Sequence, residues 1–151
     1  MTDKIMFKII NPKGKEAWAE FFDVSKAVEI YINDTKLVDI LHEIEIPYAT
    51  NEGKPSLAGS YGHLTPKELF DNLTNSKAPD EYNEEFGNEI LCCGGCGDSG
   101  CWSVYVFISY DDYYVYWYKF RHNHRDWKYN ISYKFDRKEY EKSLEDLKSD
   151  I

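Results

Sequence analysis

Two aromatic and β-branched segments joined by two aspartates constrain the fold more than any other part of the sequence. WSVYVFISY (102–110) and YYVYWYKF (113–120) are rich in residues that favour strands, and Asp111-Asp112 between them is typical of a turn. The pair therefore predicts a β-hairpin. Because the first segment carries bulky apolar side chains at odd and even positions alike, we expect both faces of the hairpin to be covered, as in the centre of a sheet.

An alternating segment followed by a helical pattern predicts a strand and a helix in the first third of the chain. AVEIYI (27–32) alternates as a strand does, and KLVDILHEIE (36–45) spaces its apolar residues as a helix does. Pro47 is expected to end that helix. Residues 48–64 are then expected to form a long loop.

Capping residues predict where two later helices begin. Thr65 and Glu68 have the spacing of a capping box at the start of a short helix. Asp136 and Glu139 repeat that spacing at the start of a C-terminal helix.

The order of these elements predicts an α+β protein. A further strand is expected over YNISYKF (129–135). We expect a largely antiparallel sheet with a central hairpin (about 102–120) and two or three helices, including the C-terminal one. With 151 residues, the chain suits a single domain over 1–151.

The charge balance narrows the classes of partner. The chain carries 27 acidic against 18 basic residues, for a net charge of −9. Because phosphate backbones and anionic membrane surfaces repel such a protein, we expect neither a nucleic-acid nor a membrane partner and favour a basic protein. No apolar run reaches the roughly 20 residues that a membrane helix needs, and the first residues lack the apolar core of a signal peptide. A cytoplasmic location is expected.

Four cysteines lie within ten residues of the stretch ILCCGGCGDSGCWSV (90–104). Cys93 and Cys96 have the spacing of half a zinc site, and Cys101 follows closely. Because the hairpin brings its second strand back towards Cys101, His124 completes a predicted Cys3His zinc site. Cys92 is an alternative to Cys93, since adjacent residues on an extended segment point to opposite sides.

The same stretch allows two other interpretations. Cys93-Gly94-Gly95-Cys96 has the CxxC spacing of redox proteins, although a strand rather than a helix is expected to follow it. The cysteines are also typical of small buried thiols in a tight, glycine-rich turn. The sequence leaves all three open.

Two short matches to enzyme motifs lack the rest of the motif. Gly97-Asp98-Ser99-Gly100 resembles the surroundings of a serine-protease nucleophile, but neither His42 nor His63 lies in the required context. The triplet at 124–126 matches the kinase His-Arg-Asp, but the glycine-rich phosphate loop and the Asp-Phe-Gly motif are missing.

Five stretches taken together resemble a family of small bacterial proteins. They are VEIYIN…LVDILHEIEIPYA, PSLAGSYGHL, CGDSGCWSV, HRDWKY and FDRKEYE. The family pattern has a Cys-Gly-x-x-Gly-Cys-Trp turn, a His-Arg…Trp-x-Tyr segment and a Phe-Asp-Arg-x-x-Tyr-Glu C-terminal helix. The likeness covers about residues 27–144. No activity is assigned to that family, so the resemblance implies membership and no function.

Three loops are expected to converge on one polar and aromatic pocket, because functional groups usually lie in loops held by a rigid sheet. The predicted lining residues are Tyr61, His63, Asp98, His124, Arg125, Asp126 and Trp127. The leading hypothesis is a binding or interaction module, of which an immunity-type protein that neutralises a basic toxin is one version. The alternatives are a protein with the structural zinc site and a small enzyme that uses the His/Arg/Asp loop or a reactive cysteine.

Overall fold

The computed structural model describes residues 1–74, 87–95 and 101–151. Within these residues the chain forms two antiparallel sheets, of three and five strands, and four α-helices, of which the last is C-terminal. The predicted α+β class is therefore confirmed. No helix in the described part of the chain is both long and apolar enough to cross a membrane.

The first sheet is built around the strand predicted at residues 27–32. Its strands are β1 (Ile5–Ile10), β2 (Ala27–Ile32) and β3 (Thr35–Lys36), in that order, with the short helix α1 (Ala17–Phe21) between the first two. Asn33 and Asp34 join β2 to β3, and both have positive φ angles, of 51° and 68°. Two such residues form the hairpin turn whose twist matches that of the flanking strands.

Helix α2 (Leu37–Asn51) is longer than predicted, because Pro47 does not end it. Proline lacks the N–H that would bind the carbonyl of residue 43, but the helix tolerates this loss where the chain is exposed. Glu45 and Ala49, on either side of Pro47, are both fully buried and keep the backbone helical. The loop expected over 48–64 is interrupted by the end of α2, by a 3₁₀ helix and by a short strand.

The second sheet contains the predicted hairpin at its centre. Its strands, in spatial order, are β4 (Tyr61–Gly62), β5 (Asn88–Cys93), β6 (Val104–Tyr110), β7 (Tyr114–His122) and β8 (Tyr133–Asp136). The 3₁₀ helix (Pro55–Leu57) precedes β4, and helix α3 (Pro66–Thr74) follows it. Strand β8 starts four residues later than predicted, because Asn130 adopts a positive φ of 51° that an extended strand does not allow.

Both predicted helix caps are confirmed. The backbone N–H of Glu68 donates to the Thr65 hydroxyl at 3.3 Å, and Glu68 accepts from the Thr65 N–H in return. The side chain of Asp136 accepts from the N–H of Glu139 at 3.0 Å and starts helix α4 (Arg137–Lys148). Tyr140 of α4 is fully buried in the core.

A β-bulge in β7 decides which side chains face the core at the end of the strand. The register between β6 and β7 shifts by one residue between the pairs Tyr105↔Arg121 and Phe107↔Tyr118. Lys119 lies in the bulged part of β7, between Tyr118 and Arg121, and has a positive φ of 53°. Such a bulge re-aims the residues that follow it.

The burial pattern of β7 changes at this bulge. Val115 and Trp117 are buried before it, and Phe120 and His122 are buried after it, so the inward positions change from odd to even numbers. The bulge therefore turns His122 towards the interior.

We expect the backbone at Lys119 to favour glycine and to reject a β-branched residue. Lys119→Gly removes the Cβ that makes a left-handed conformation costly, whereas Lys119→Val makes that conformation worse. The free energy of unfolding of Lys119→Val should fall about 1–2 kcal/mol below that of Lys119→Gly. Urea denaturation measures both values.

Lys8→Val is the matched control, because Lys8 is exposed in the regular strand β1. It should change stability by no more than about 0.5 kcal/mol. Equal stabilities for the two Lys119 variants would contradict the assignment of a strained bulge.

Candidate functional site

The end of β7 and the segment after it, residues 119–131, line an open groove of about 1040 Å³. We call this the 119–131 groove. The segment contains four basic residues and one acidic residue, which gives it a formal charge of +3. Since the whole chain carries −9, the remainder carries −12, and the groove is a local concentration of positive charge in an acidic protein.

Three aromatic rings meet beside the groove and form what we call the aromatic cluster: Trp102, His122 and Trp127. The Trp102 and His122 rings pack edge to face, with centroids 4.1 Å apart. The Trp127 ring lies 5.5 Å from that of His122 and 6.2 Å from that of Trp102. The two Trp127 spacings are those of favourable aromatic pairs, so the cluster holds the segment after β7 against the sheet.

A carboxylate from the end of α2 fixes Arg125 over this cluster. Glu52 accepts from Arg125 Nε at 3.0 Å through one oxygen and from Trp127 Nε1 at 2.9 Å through the other. The Arg125 guanidinium lies 4.9 Å from the ring centroid of Trp102, within cation–π range. Tyr48 stacks on Trp127 with centroids 6.2 Å apart. The cationic group is therefore held in place by contacts within the protein.

A second group of side chains, the buried polar cluster, lies around the carboxylate of Glu45. Glu45 has no exposed surface, although it is ionisable. Its Oε1 accepts from the N–H of Gly59 at 2.8 Å, and its Oε2 accepts from the hydroxyls of Tyr61 and of Tyr129, the latter at 2.7 Å. Three donors from three different parts of the chain thus converge on one side chain.

Burial sets the ionisation of the buried polar cluster. Desolvation raises the pKa of Glu45, and the hydrogen bonds from Tyr61, Gly59 and Tyr129 oppose that rise only in part. Desolvation, together with the nearby carboxylate, also raises the pKa of both tyrosines. The two hydroxyls therefore stay protonated and remain available as donors.

His122 is neutral near pH 7. It is 3 % exposed, and burial lowers its pKa to about 4, with His124 and Arg125 adding positive charge nearby. Its Nδ1 accepts the backbone N–H of His124 at 2.9 Å. Because a neutral imidazole has one acceptor and one donor nitrogen, the proton lies on Nε2.

The structure brings part of the predicted pocket together. Arg125 and Trp127 contact one another over the groove, and the His124 ring stacks on Trp102 at 6.2 Å. The Tyr61 ring lies 6.0 Å from that of His122, at the boundary between the two clusters. Asp126 is exposed in the groove lining.

Two further members of the predicted pocket are placed elsewhere or not described. His63 Nδ1 lies 2.7 Å from Glu16 Oε1, and the other oxygen of Glu16 accepts from Trp18 Nε1 at 3.0 Å. This His–Glu pair is mostly buried and forms a separate polar contact next to β4. Asp98 lies outside the described residues, together with Ser99 of the protease-like motif.

The predicted zinc site is described only in part. Cys93 is half-buried and Cys101 is exposed, but Cys96 lies outside the described residues. Among the residues that are described, no group of three or more His, Cys, Asp or Glu side chains has a geometry that could hold a metal ion. The Cys3His set therefore stays a prediction.

Cys92 fits the interpretation as a small buried thiol. It is 1 % exposed, and desolvation raises the pKa of its thiol. A thiol of this kind is protonated near pH 7 and is a poor nucleophile.

The predicted pocket left out five residues that build the site: Glu45, Glu52, Trp102, His122 and Tyr129. Glu45 had a usable signal, because it follows the buried Leu41 by four residues and therefore lies on the apolar face of α2. A carboxylate on such a face must find donors or a counter-ion. No signal in the sequence indicated the orientation of His122, because that orientation depends on the bulge at Lys119.

Comparison with protein-family models, with curated proteins and with solved structures finds no match to this chain. The family resemblance of the motifs is thus neither supported nor contradicted by a related protein and stays a prediction.

Ionisation of Glu45 should make stability fall as the pH rises. The folded-state pKa of Glu45 is raised, so its stabilising contribution is complete below the unfolded-state value near 4.5 and is lost as the pH rises through the folded-state value. The difference in unfolding free energy, wild type minus Glu45→Gln, should therefore decrease from pH 4 upwards and then level off. Urea denaturation at a series of pH values measures this difference.

Glu43→Gln is the control, since Glu43 is exposed on the same helix. Its unfolding free energy should differ from that of the wild type by no more than about 0.5 kcal/mol at every pH, because an exposed side chain contributes little to stability. A difference for Glu45→Gln that rises with pH would contradict the assignment.

Proposed function

We propose that this chain is a cytoplasmic, single-domain binding module and that the 119–131 groove is its binding site. The observation that supports this proposal is the charge of the groove, +3 in a chain whose remainder carries −12. A concave cationic surface surrounded by acidic ones steers an anionic group towards itself and orients it.

Pre-organisation of the groove adds support. Arg125 is fixed by Glu52 and by the aromatic cluster, so little side-chain entropy is lost when it contacts a ligand. The Tyr48 hydroxyl also donates to the carbonyl of Lys128 at 3.3 Å, which ties the groove backbone to α2. A site held in this way suits recognition.

Charge reversal in the groove should weaken partner binding strongly. The immobilised wild-type protein is expected to retain a stoichiometric partner from a lysate of the organism that makes it. The Arg121→Glu/Lys128→Glu double variant should lose that partner at least tenfold, because two attractive charges become repulsive. Quantitative mass spectrometry of the eluates measures the loss.

A double variant outside the groove controls for net charge. Lys15→Glu/Lys138→Glu makes the same change of charge at two exposed lysines. Lys15 lies in the loop before α1, and Lys138 lies in α4. It should retain the partner. Equal loss in both double variants would contradict the groove as the site.

A basic protein is the second candidate partner, and the immunity-type role belongs to it. The observation that favours it is the charge of −12 outside the groove. In that case the captured partner is basic, binding weakens with salt, and the Arg121→Glu/Lys128→Glu variant binds at least as well as the wild type. The charge of −12 outside the groove also disfavours nucleic acid as the partner.

Catalysis receives less support from these contacts. Arg125 has a carboxylate partner in Glu52, and His63 has one in Glu16. Both side chains thus have structural roles that do not require a substrate. The enzyme hypothesis stays a prediction.

A structural zinc ion at Cys93, Cys96, Cys101 and His124 can be tested independently of the partner. If the site exists, elemental mass spectrometry of the untagged protein should find about one zinc per chain, and Cys96→Ser should release it and lower the melting temperature sharply. Protein without metal whose melting is unchanged by Cys96→Ser would exclude the site.

A further inference from the structure

Two buried N–H donors of the aromatic cluster have no acceptor in the part of the chain that the structure describes. The Nε2 atom of His122 and the Nε1 atom of Trp102 are both buried and have no hydrogen-bond partner among the described residues. His122 Nε2 carries the proton, since Nδ1 is the acceptor, and an indole nitrogen can only donate. Buried donors without acceptors are rare and costly, so this pair needs an explanation.

The two donors belong to one place. Their rings are in edge-to-face contact, with centroids 4.1 Å apart, and His122 lines the 119–131 groove. Trp102 is only half-buried, so a shift of its indole can admit a small group from the groove. A single acceptor that reaches both nitrogens would satisfy both N–H groups.

A cation lies next to this pair. The Arg125 guanidinium stacks over Trp102 at 4.9 Å, and its two hydrogen bonds, to Glu52 and to the carbonyl of His124, use two of its five N–H donors. Arg125 therefore retains donors for a further acceptor. Trp102, His122 and Arg125 thus place three donor groups close to one another.

We propose that Trp102 Nε1, His122 Nε2 and Arg125 together bind one oxyanion group, a carboxylate or a phosphate, of a ligand that enters the 119–131 groove. This inference rests on the proposed function and names the chemistry that its site recognises. An oxyanion accepts several hydrogen bonds at once and favours a guanidinium beside it.

The nearby carboxylates leave this site available. Glu52 accepts a hydrogen bond only from Nε of Arg125, so it does not occupy the other N–H donors of the guanidinium. Glu45 is already surrounded by three donors from Gly59, Tyr61 and Tyr129, so it does not compete for the orphaned N–H groups.

The indole N–H resonance of Trp102 is the direct probe of the site. The ¹⁵N-labelled protein contains four tryptophans, and the Trp102→Phe variant identifies the Trp102 signal by its loss. Sodium glutarate and sodium phosphate are titrated separately at constant ionic strength, with sodium chloride as the reference. We expect a saturable downfield shift of the Trp102 signal, because the N–H gains an acceptor, and no comparable shift at Trp117, which already donates to Tyr140.

Arg125→Gln tests the contribution of the cation. It should weaken the anion that binds by about tenfold, since a charge-assisted hydrogen bond is lost. Arg137→Gln is the matched control, because Arg137 also pairs with a carboxylate, Glu141, and lies 5.4 Å from a tyrosine ring centroid, but outside the groove. It should leave the affinity unchanged.

If Arg125→Gln fails to fold, Trp102→Phe replaces it, with the backbone amide signal of His124 as the readout and weaker binding as the expectation. A shift with glutarate alone supports recognition of a carboxylate, and a shift with phosphate alone supports recognition of a phosphate. No saturable shift with either anion, or the same shift with chloride, overturns the proposal.

The two proposals fail separately. A partner that depends on the groove charges, together with an unresponsive Trp102 signal, overturns the oxyanion site and leaves the binding module. A saturable Trp102 shift, together with partner capture that does not depend on Arg121 and Lys128, supports the oxyanion site and overturns the groove as the site of partner binding.

Discussion

The geometry of the candidate site depends on one buried carboxylate. Glu45 comes from the penultimate turn of α2, and its three donors come from the loop before β4, from β4 itself and from the segment after β7. An ionised group without exposed surface is tolerated only when donors replace its water. The cost of burying Glu45 therefore forces these otherwise independent parts of the chain into one arrangement. Glu52, the residue directly after the same helix, then reaches Arg125 and Trp127.

Local signals in the sequence were sufficient for the elements that local forces decide. The hairpin, strand β2 and the two helix caps each depend on residues within a few positions of one another, and all of them form as predicted. The prediction that Pro47 ends α2 is wrong, because the end of this helix depends on packing with distant parts of the chain. The helix continues past Pro47 because Ala49 packs in the core, and that packing is invisible to a rule about proline and its own neighbours.

The site could be predicted in its composition but not in its pairing. Arg125 and Trp127 were identified as polar and aromatic loop residues, and they do lie together. The carboxylate that binds Arg125 is that of Glu52, 73 residues away in sequence, and not that of the adjacent Asp126. The orientation of His122 depends on a one-residue bulge at Lys119, and a single sequence does not say where an extra residue enters a strand.

The protonation of the site favours recognition over proton transfer. A general base must accept a proton near neutral pH, but the pKa of His122 is lowered to about 4 and its acceptor nitrogen is occupied by a backbone N–H. The tyrosine hydroxyls at Glu45 are held protonated by burial and by the carboxylate that they serve. The groups that remain at the proposed oxyanion site are N–H donors: a buried indole, a neutral imidazole and a guanidinium. Groups of this kind suit holding an acceptor in place, which is the role that we propose for them at the 119–131 groove.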